Sequence, residues 1–299
     1  MQMTHKNIDN AFKGFRKLFD QAFENATSHK DTVAMTVPSL SSEEVYAWLG
    51  QFPELREWIG DRQINQIAAH GFTIKNKLYE STVTVKRTDF EDDRLGLYKP
   101  LIQEAGRASR THPDKMIFSM LKQGFDTMCF DGQNFFDTDH PSHLIEGGSH
   151  ETVSISNMQV GSGKSWYLID ASRAIKPVIW QERVPYDFQS ITGDQDAHVF
   201  LRDEFLYGIR ARVNCGFGLW QLAFGSKAEL TTENYSEARS AMMAFPGDAG
   251  QLLGVSPTHL IVPPSLEKEA RALIFADQVE GTSNVWKDSV ELVVTPYVA

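Results

Sequence analysis

Asp137, Asp139, His140 and His143 crowd oxygen and nitrogen donors into seven consecutive positions, a set that a zinc or iron ion could use in metal-assisted hydrolysis. Pro141 inside the group and the turn-forming Asp131-Gly132 ahead of it favour a polar loop whose side chains cap backbone groups. Gly161-Ser162-Gly163-Lys164-Ser165 carries the Gly-Lys-Ser tail of a phosphate-binding loop. The first glycine of that motif would fall at Met158, and Trp166-Tyr167-Leu168-Ile169-Asp170 follows as a strand where the motif needs a helix, so a Gly/Ser turn is the reading. No Gly-x-Ser-x-Gly elbow and no His-Glu-x-x-His helix is present to anchor hydrolase chemistry. Glu91-Asp92-Asp93 reads as a helix start, where acidic groups favour the positive end of the dipole, and not as an acid and base pair. No catalytic, cofactor-binding or metal-ligating residue is assigned.

The elements that would have to position these groups are mixed. Ile8, Phe12, Phe15, Phe19 and Phe23 recur at three- and four-residue intervals, which puts the aromatics on one face of a helix. That face can lie on the chain's own core or, as an arm, on a neighbouring chain. Ser41 and Glu44 have capping-box spacing ahead of Val45, Trp48, Leu49 and Phe52, which predicts a helix broken at Pro53. Beyond Gly71 the pattern alternates, with Phe72 and Ile74, then Val83 and Val85, about the turn-like Lys75-Asn76-Lys77; this predicts a β-hairpin. Leu95 to Ala105 has helical period, and Pro100 either sits in the first turn of a helix starting near Lys99 or kinks a longer one. A separate helix is expected from Pro113, at its first position, to Gly124 as its stop. Further on, strands are expected at 166–170, 177–183 and 258–262, helices at 234–245 and 266–276 with Ser265 as N-cap, and a last strand within 289–297.

The 299 residues exceed a single typical core, while no internal repeat or low-complexity linker divides them. With 41% hydrophobic and 23% charged residues the composition is that of a soluble globular protein, and no apolar run approaches the roughly 18 residues that a membrane span needs. The N-terminal residues lack the apolar segment of a secretory signal, so the chain is expected to stay in the cytoplasm that makes it. Cys129 and Cys215 stand alone and are expected to be reduced, partly buried thiols. A net charge of −10 argues against a protein whose main business is gripping nucleic acid, and does not exclude a container for it.

Several stretches, taken in order, resemble the Mu-like prophage major head subunit (gpT-like) family: Ile74 to Glu80 with Val83 and Val85, Phe90 to Asp93, His112-Pro113-Asp114, Cys129 to Pro141, Trp166 to Asp170, Lys176 to Arg183, and Arg210 to Trp220. Pro257 to Pro263 with the helix after it also looks like an element of tailed-phage coat proteins. The resemblance implies an α+β Hong Kong 97-type phage capsid fold: an N-terminal arm (1–58), an extended hairpin loop (59–91), a peripheral domain with a long helix (92–156), an axial domain (157–281) and a terminal strand returning to the core (282–299). It implies a major capsid protein that self-assembles as pentamers and hexamers into an icosahedral shell around double-stranded DNA bound without sequence specificity. A scaffolding protein, a protease and a portal are the implied partners, with no membrane and no cofactor; the virion capsid, assembled in the bacterial host cytoplasm, is the implied location. Intersubunit contact is expected from Phe12, Phe15, Phe19, Phe72, Ile74, Val83 and Val85. Some capsid proteins join Lys to Asn by an isopeptide bond, but Lys75-Asn76-Lys77 reads as a solvated turn. An encapsulin-type compartment shell and a metal-dependent hydrolase on Asp137, Asp139, His140 and His143 are the competing readings.

Overall fold

The computed structural model describes residues 4–49, 72–146, 149–247, 252–279 and 281–299. In chain order the elements are α1 (His5–Asn25), α2 (Lys30–Val33), β1 (Ala34–Pro38), β2 (Glu43–Tyr46), β3 (Phe72–Lys75), β4 (Lys77–Lys86), α3 (Arg87–Glu91), a 3-10 turn at Leu95–Tyr98, and α4 (Lys99–Gln123). Then follow β5 (His140–Glu146), β6 (Ser149–Ile155), β7 (Met158–Gln159), β8 (Trp166–Ile169), β9 (Val178–Ile191), α5 (Ala197–Arg202), β10 (Glu204–Phe217) and β11 (Ala223–Ser226). The chain closes with α6 (Thr232–Met243), β12 (His259–Val262), α7 (Glu267–Phe275), β13 (Gln278–Val279), β14 (Thr282–Ser283) and β15 (Glu291–Val294).

Two sheets organise them. One has the order β1-β9-β10-β4 and the other β15-β12-β8-β11-β7. The long antiparallel strands β9 and β10 serve two separate cores. At one end Val178, Ile179, Trp180, Val213 and Phe217 belong to the large core shared with the second sheet, α6 and α7. At the other end Phe188, Phe205, Tyr207 and Ile209 meet α1, Phe90 and Ile102 in a smaller one. Along β10 the buried residues Phe205, Tyr207, Ile209, Ala211 and Val213 alternate with more exposed ones, the period of a strand with one face inward. Its register with β9 slips between Arg210 and Val213, where β9 carries extra residues around Pro185. A proline cannot donate to a ladder, and a bulge is where a strand interior accepts one. The strand expected to stop at Arg183 therefore continues to Ile191.

The smaller core explains the aromatic stripe of α1. Thr4 caps the helix by accepting from the Asn7 amide at 3.2 Å. Phe12 and Phe19 stack on Phe188 at 5.8 and 5.2 Å, and Phe15 meets Tyr207 edge-on at 5.0 Å. On its other side α1 crosses α4 so closely that a Cβ on Gly106 would lie 2.5 Å from the Phe19 carbonyl oxygen.

The two helices expected in 95–124 are one. It begins at Lys99 with Pro100 in its first turn, as one of the alternatives had it, and runs through Pro113 to Gly124. An interior proline costs about 3 kcal/mol. Burial of Ile102, Ile117, Phe118 and Leu121, at about 1.5–3 kcal/mol each, outweighs it. Pro113 is itself buried, and the next residue ties the helix to the preceding chain: the Asp114 carboxylate accepts from Ser28 Oγ at 2.7 Å and from the His29 amide at 3.0 Å.

Three other expectations are corrected. The segments at Phe72–Ile74 and Val83–Val85 do not pair with each other: β3 pairs with β2, while β4 pairs with β10. The hairpin thus begins at Glu43, and β2 replaces the helix predicted there; Phe52 and Pro53 lie outside the described residues. Glu44 does cap, but it caps a turn: its carboxylate accepts from Ser39 Oγ and the amides of Leu40 and Ser41 at 2.8–3.1 Å, and these bonds hold its pKa below the usual range. At the last helix a 3-10 turn, Pro264–Leu266, intervenes, so Leu266 and not Ser265 precedes α7.

Replacing Gly106 by Ala tests the α1–α4 crossing. Helix propensity alone would favour the change by about 0.5–1 kcal/mol. The clash with the Phe19 carbonyl is expected to reverse the sign, giving a net loss of about 1–3 kcal/mol in denaturant unfolding. Gly14→Ala, on the open face of α1 with nothing within 4 Å, should stabilise.

Candidate assembly surfaces

The seven residues expected at intersubunit contacts divide sharply. Phe15 and Phe19 are each 3% exposed and are used up inside the chain, as are Ile74 and Val85. Phe12, Phe72 and Val83 are half-buried, so part of each remains available to a neighbour. Ile74 and Phe72 fit over Gly216 of β10, where a Cβ would meet Ile74 Cδ1 at 2.3 Å.

A polar knot fastens the base of the β2–β3 hairpin to the first sheet. Gln181 of β9 accepts from Tyr46 Oη at 2.9 Å and donates to the Ile74 carbonyl at 3.1 Å and to Asn76 Oδ1 at 2.9 Å. Asn76 in turn donates from Nδ2 to Ser39 Oγ and the Ser41 carbonyl, at 2.8 and 2.9 Å. Its amide is therefore engaged on both sides, in the turn between the exposed Lys75 and Lys77. Desolvation pushes the Tyr46 hydroxyl up to about 12, which keeps it a donor.

Among the described residues, two adjacent large apolar side chains stand bare at the far end of β9 and β10. Between them α5 buries Val199 but leaves Phe200 81% and Leu201 75% exposed. The helix is held from below, because the Asp203 carbonyl accepts from the Arg87 amide at 3.0 Å and the Arg87 guanidinium pairs with Asp194 at 3.2 Å. Asp203 closes α5 in the left-handed region, at φ 57°. Sequence reasoning missed this helix. Its one signal was the adjacent pair of large apolar residues in an otherwise polar connection.

The groups that invited chemistry are placed differently from the sequence reading. His140 is fully buried and faces Asp131, not Asp137 or Asp139; Nδ1 lies 2.7 Å from Asp131 Oδ2. The His143 side chain lies outside the described residues. Asp137 accepts from the amides of Asn134 and Thr138, the capping role a polar loop requires, and Asp139 is exposed. The turn at Gly132, φ 88°, brings in Cys129, whose thiol donates to Asp131 Oδ1 at 3.0 Å. Burial pushes that thiol up, and the Asp131 charge adds to it. For Asp131, burial raises the pKa, but the bonds from His140 and Cys129 outweigh it and hold the carboxyl below its ordinary value. Trp220 stacks on the His140 ring at 4.0 Å. The Gly161–Ser165 segment is a turn: Gly163 donates its amide to the Lys227 carbonyl at 2.8 Å, and β8 follows.

A chain with two cores, a hairpin pinned at its base and a bare apolar tip has the build of a part, and comparison with known proteins says of what. The family described as Mu-like prophage major head subunit gpT matches residues 8–298. The chain belongs to that family. It is 43% identical over 305 residues to the major capsid protein of Escherichia phage Mu, with both chains covered in full. It is similar to the chain in the procapsid of bacteriophage JBD30, at 44% identity and TM-score 0.87, over 99% of this chain and 100% of that one. It is also similar to the chain in the JBD30 capsid decorated with minor capsid protein trimers, at 33% identity and TM-score 0.72, over 92% of each.

The protein is a major capsid protein of a Mu-like phage or prophage: it forms the head shell, is a component of the virion, and is not an enzyme. Its mixed α+β fold is that of phage capsid proteins. The compartment-shell and hydrolase readings fall with that assignment.

Burial separates residues that hold the subunit together from residues free to hold a shell together. Phe19→Ala is expected to cost about 3–5 kcal/mol in unfolding of the isolated chain. Phe200→Ala should stay within about 0.5 kcal/mol of the parent, and an equal loss for both would contradict the division.

Proposed function

We propose that the chain is a Hong Kong 97-type subunit that closes into pentamers and hexamers, and that these join into an icosahedral shell around double-stranded DNA. On this reading α1 and the chain up to β1 form the N-terminal arm, and β2 and β3 pair at the base of the extended loop. The peripheral domain is α4 with β4 and the distal halves of β9 and β10, and the axial domain is built on the second sheet. The observation that carries the proposal is the α5 tip: a folded chain that buries Val199 yet leaves Phe200 and Leu201 in water has apolar surface reserved for another copy. Phe12, Phe72 and Val83, each half-buried, are the members of the expected contact set that remain suited to the same use.

Ring closure needs heterologous contacts, in which one patch meets a different patch on the next copy. Each such contact can be weak, because a subunit held by several neighbours at once is held far more firmly than by any one of them. A net charge of −10 supports contents kept by enclosure and not by adhesion. A scaffolding protein, a protease and a portal are the partners the family implies. By likeness to the decorated JBD30 capsid, the outer surface is proposed to accept trimers of a minor capsid protein.

Co-expression of the chain with its neighbouring head genes, followed by electron microscopy, tests the proposal. Closed shells with five- and six-fold rings are expected from the parent. Phe200→Ser/Leu201→Ser should abolish or sharply reduce them while leaving the unfolding midpoint of the isolated chain unchanged. Shells at parental yield from that variant would remove the tip from the assembly contacts.

A further inference from the structure

We propose that Cys129, Asp131 and His140 form a binding site for a divalent transition-metal ion of the zinc class, clasping the loop after α4 to the start of β5. Their donor atoms lie within 4.8 Å of one another. A tetrahedral zinc ion holds sulfur at about 2.3 Å and nitrogen or oxygen at about 2.0–2.2 Å, which sets donors some 3–4 Å apart. The observed separations, 3.0 Å from Cys129 Sγ to Asp131 Oδ1 and 2.7 Å from Asp131 Oδ2 to His140 Nδ1, run to the two oxygens of one carboxylate, so small side-chain movements suffice to gather sulfur, oxygen and nitrogen about one ion.

The second observation is the tautomer forced on His140. The Asn157 side chain is fully buried, and its orientation is fixed without reference to the histidine. Its Nδ2 donates to the Phe135 carbonyl at 2.8 Å, with the Trp220 and Ala223 carbonyls at 3.4 Å, and its Oδ1 accepts from the Asp137 amide at 2.9 Å. Reversing the amide would aim oxygen at three carbonyls and a donor at a donor. His140 Nε2, 3.2 Å from that Oδ1, must therefore carry a hydrogen. In the neutral ring the lone pair is then on Nδ1, pointed at a carboxylate oxygen 2.7 Å away. Two acceptors facing each other need a cation between them: a proton at the observed distance, or a metal ion once the pair opens to the spacing above. An imidazole whose far N–H is held by a fixed acceptor is the arrangement found around metal-ligating histidines.

The donor set favours the metal. Thiolate, imidazole and carboxylate together suit zinc and its neighbours and do not suit magnesium or calcium. Binding releases the Cys129 thiol proton and any proton on Nδ1 to solvent, while Nε2 keeps its own. Asp131 Oδ1 would remain bonded to the Gln133 amide, 3.1 Å away. The Asp131 side chain is 10% exposed, which gives the site an opening to solvent. The proposal concerns a structural clasp and does not rest on the mode of shell assembly.

Cobalt(II) is the probe. The purified full chain is stripped with chelator and titrated with cobalt chloride. One equivalent is expected to bind, with thiolate-to-cobalt absorbance and the intense visible bands of a four-coordinate site, both displaced by zinc. Cys129→Ser should abolish the charge-transfer band and Cys215→Ser should leave it intact. Asn157→Ser, which loosens the histidine without removing a ligand, should weaken cobalt binding about 10–100-fold. Absence of a cobalt–thiolate band from the folded parent chain overturns the proposal and leaves a proton alone between His140 and Asp131. This parent measurement decides the matter even where a variant fails to fold.

Discussion

The pairing of β9 with β10 is the constraint on which the rest of the subunit depends. These two strands contribute to both cores, so a slip of one residue would turn Phe205, Tyr207 and Ile209 out of the small core and Ala211 and Val213 out of the large one. Neighbouring elements take their places from this pair. β1 adds in parallel along Val178 to Glu182, and β4 adds antiparallel along the other edge of β10. α1 lies where Phe188 and Tyr207 offer their rings, and α4 is held against α1 by the close approach at Gly106. The surfaces proposed for contact with other copies sit on the same frame: the β2–β3 hairpin is knotted to Gln181, and α5 spans the distal ends of both strands.

Much of this was legible in the sequence because periodicity reports local burial. The α1 face, β8, β12, α6, α7 and β15 follow from the spacing of apolar residues, and the start of α4 from Pro100 in its first turn. The failures came where tertiary contacts overrode a local signal. Pro113 reads as a helix start, but burial on both sides of it carries one helix through. The strand expected over 177–183 runs on to Ile191, because a bulge absorbs Pro185. Phe72–Ile74 and Val83–Val85 alternate as hairpin arms do, yet alternation says nothing about which strand is the partner.

The candidate sites were less legible for the same reason. Phe15 and Phe19 were rightly placed on one helical face, but a sequence cannot say whether that face meets its own chain, and here Phe188 and Tyr207 supply the cover. The donors near His140 were sought among its nearest neighbours in sequence. Chain reversal at Gly132 instead brought Asp131 and Cys129 to it, while Asp137 turned to backbone amides. The exposed pair Phe200 and Leu201 carries a clear signal, but it lies on a helix too short for periodicity to find.

The register slip between Arg210 and Val213 falls where the small core, ending at Ile209, gives way to the large one, beginning at Ala211. A bulge bends the strand that carries it and increases its twist, so the ribbon turns where it passes from one core to the other. A shell has to curve, and the shape of each subunit is part of what decides how sharply. The two shifts in one ladder thus help to set the angle between the two halves of the subunit.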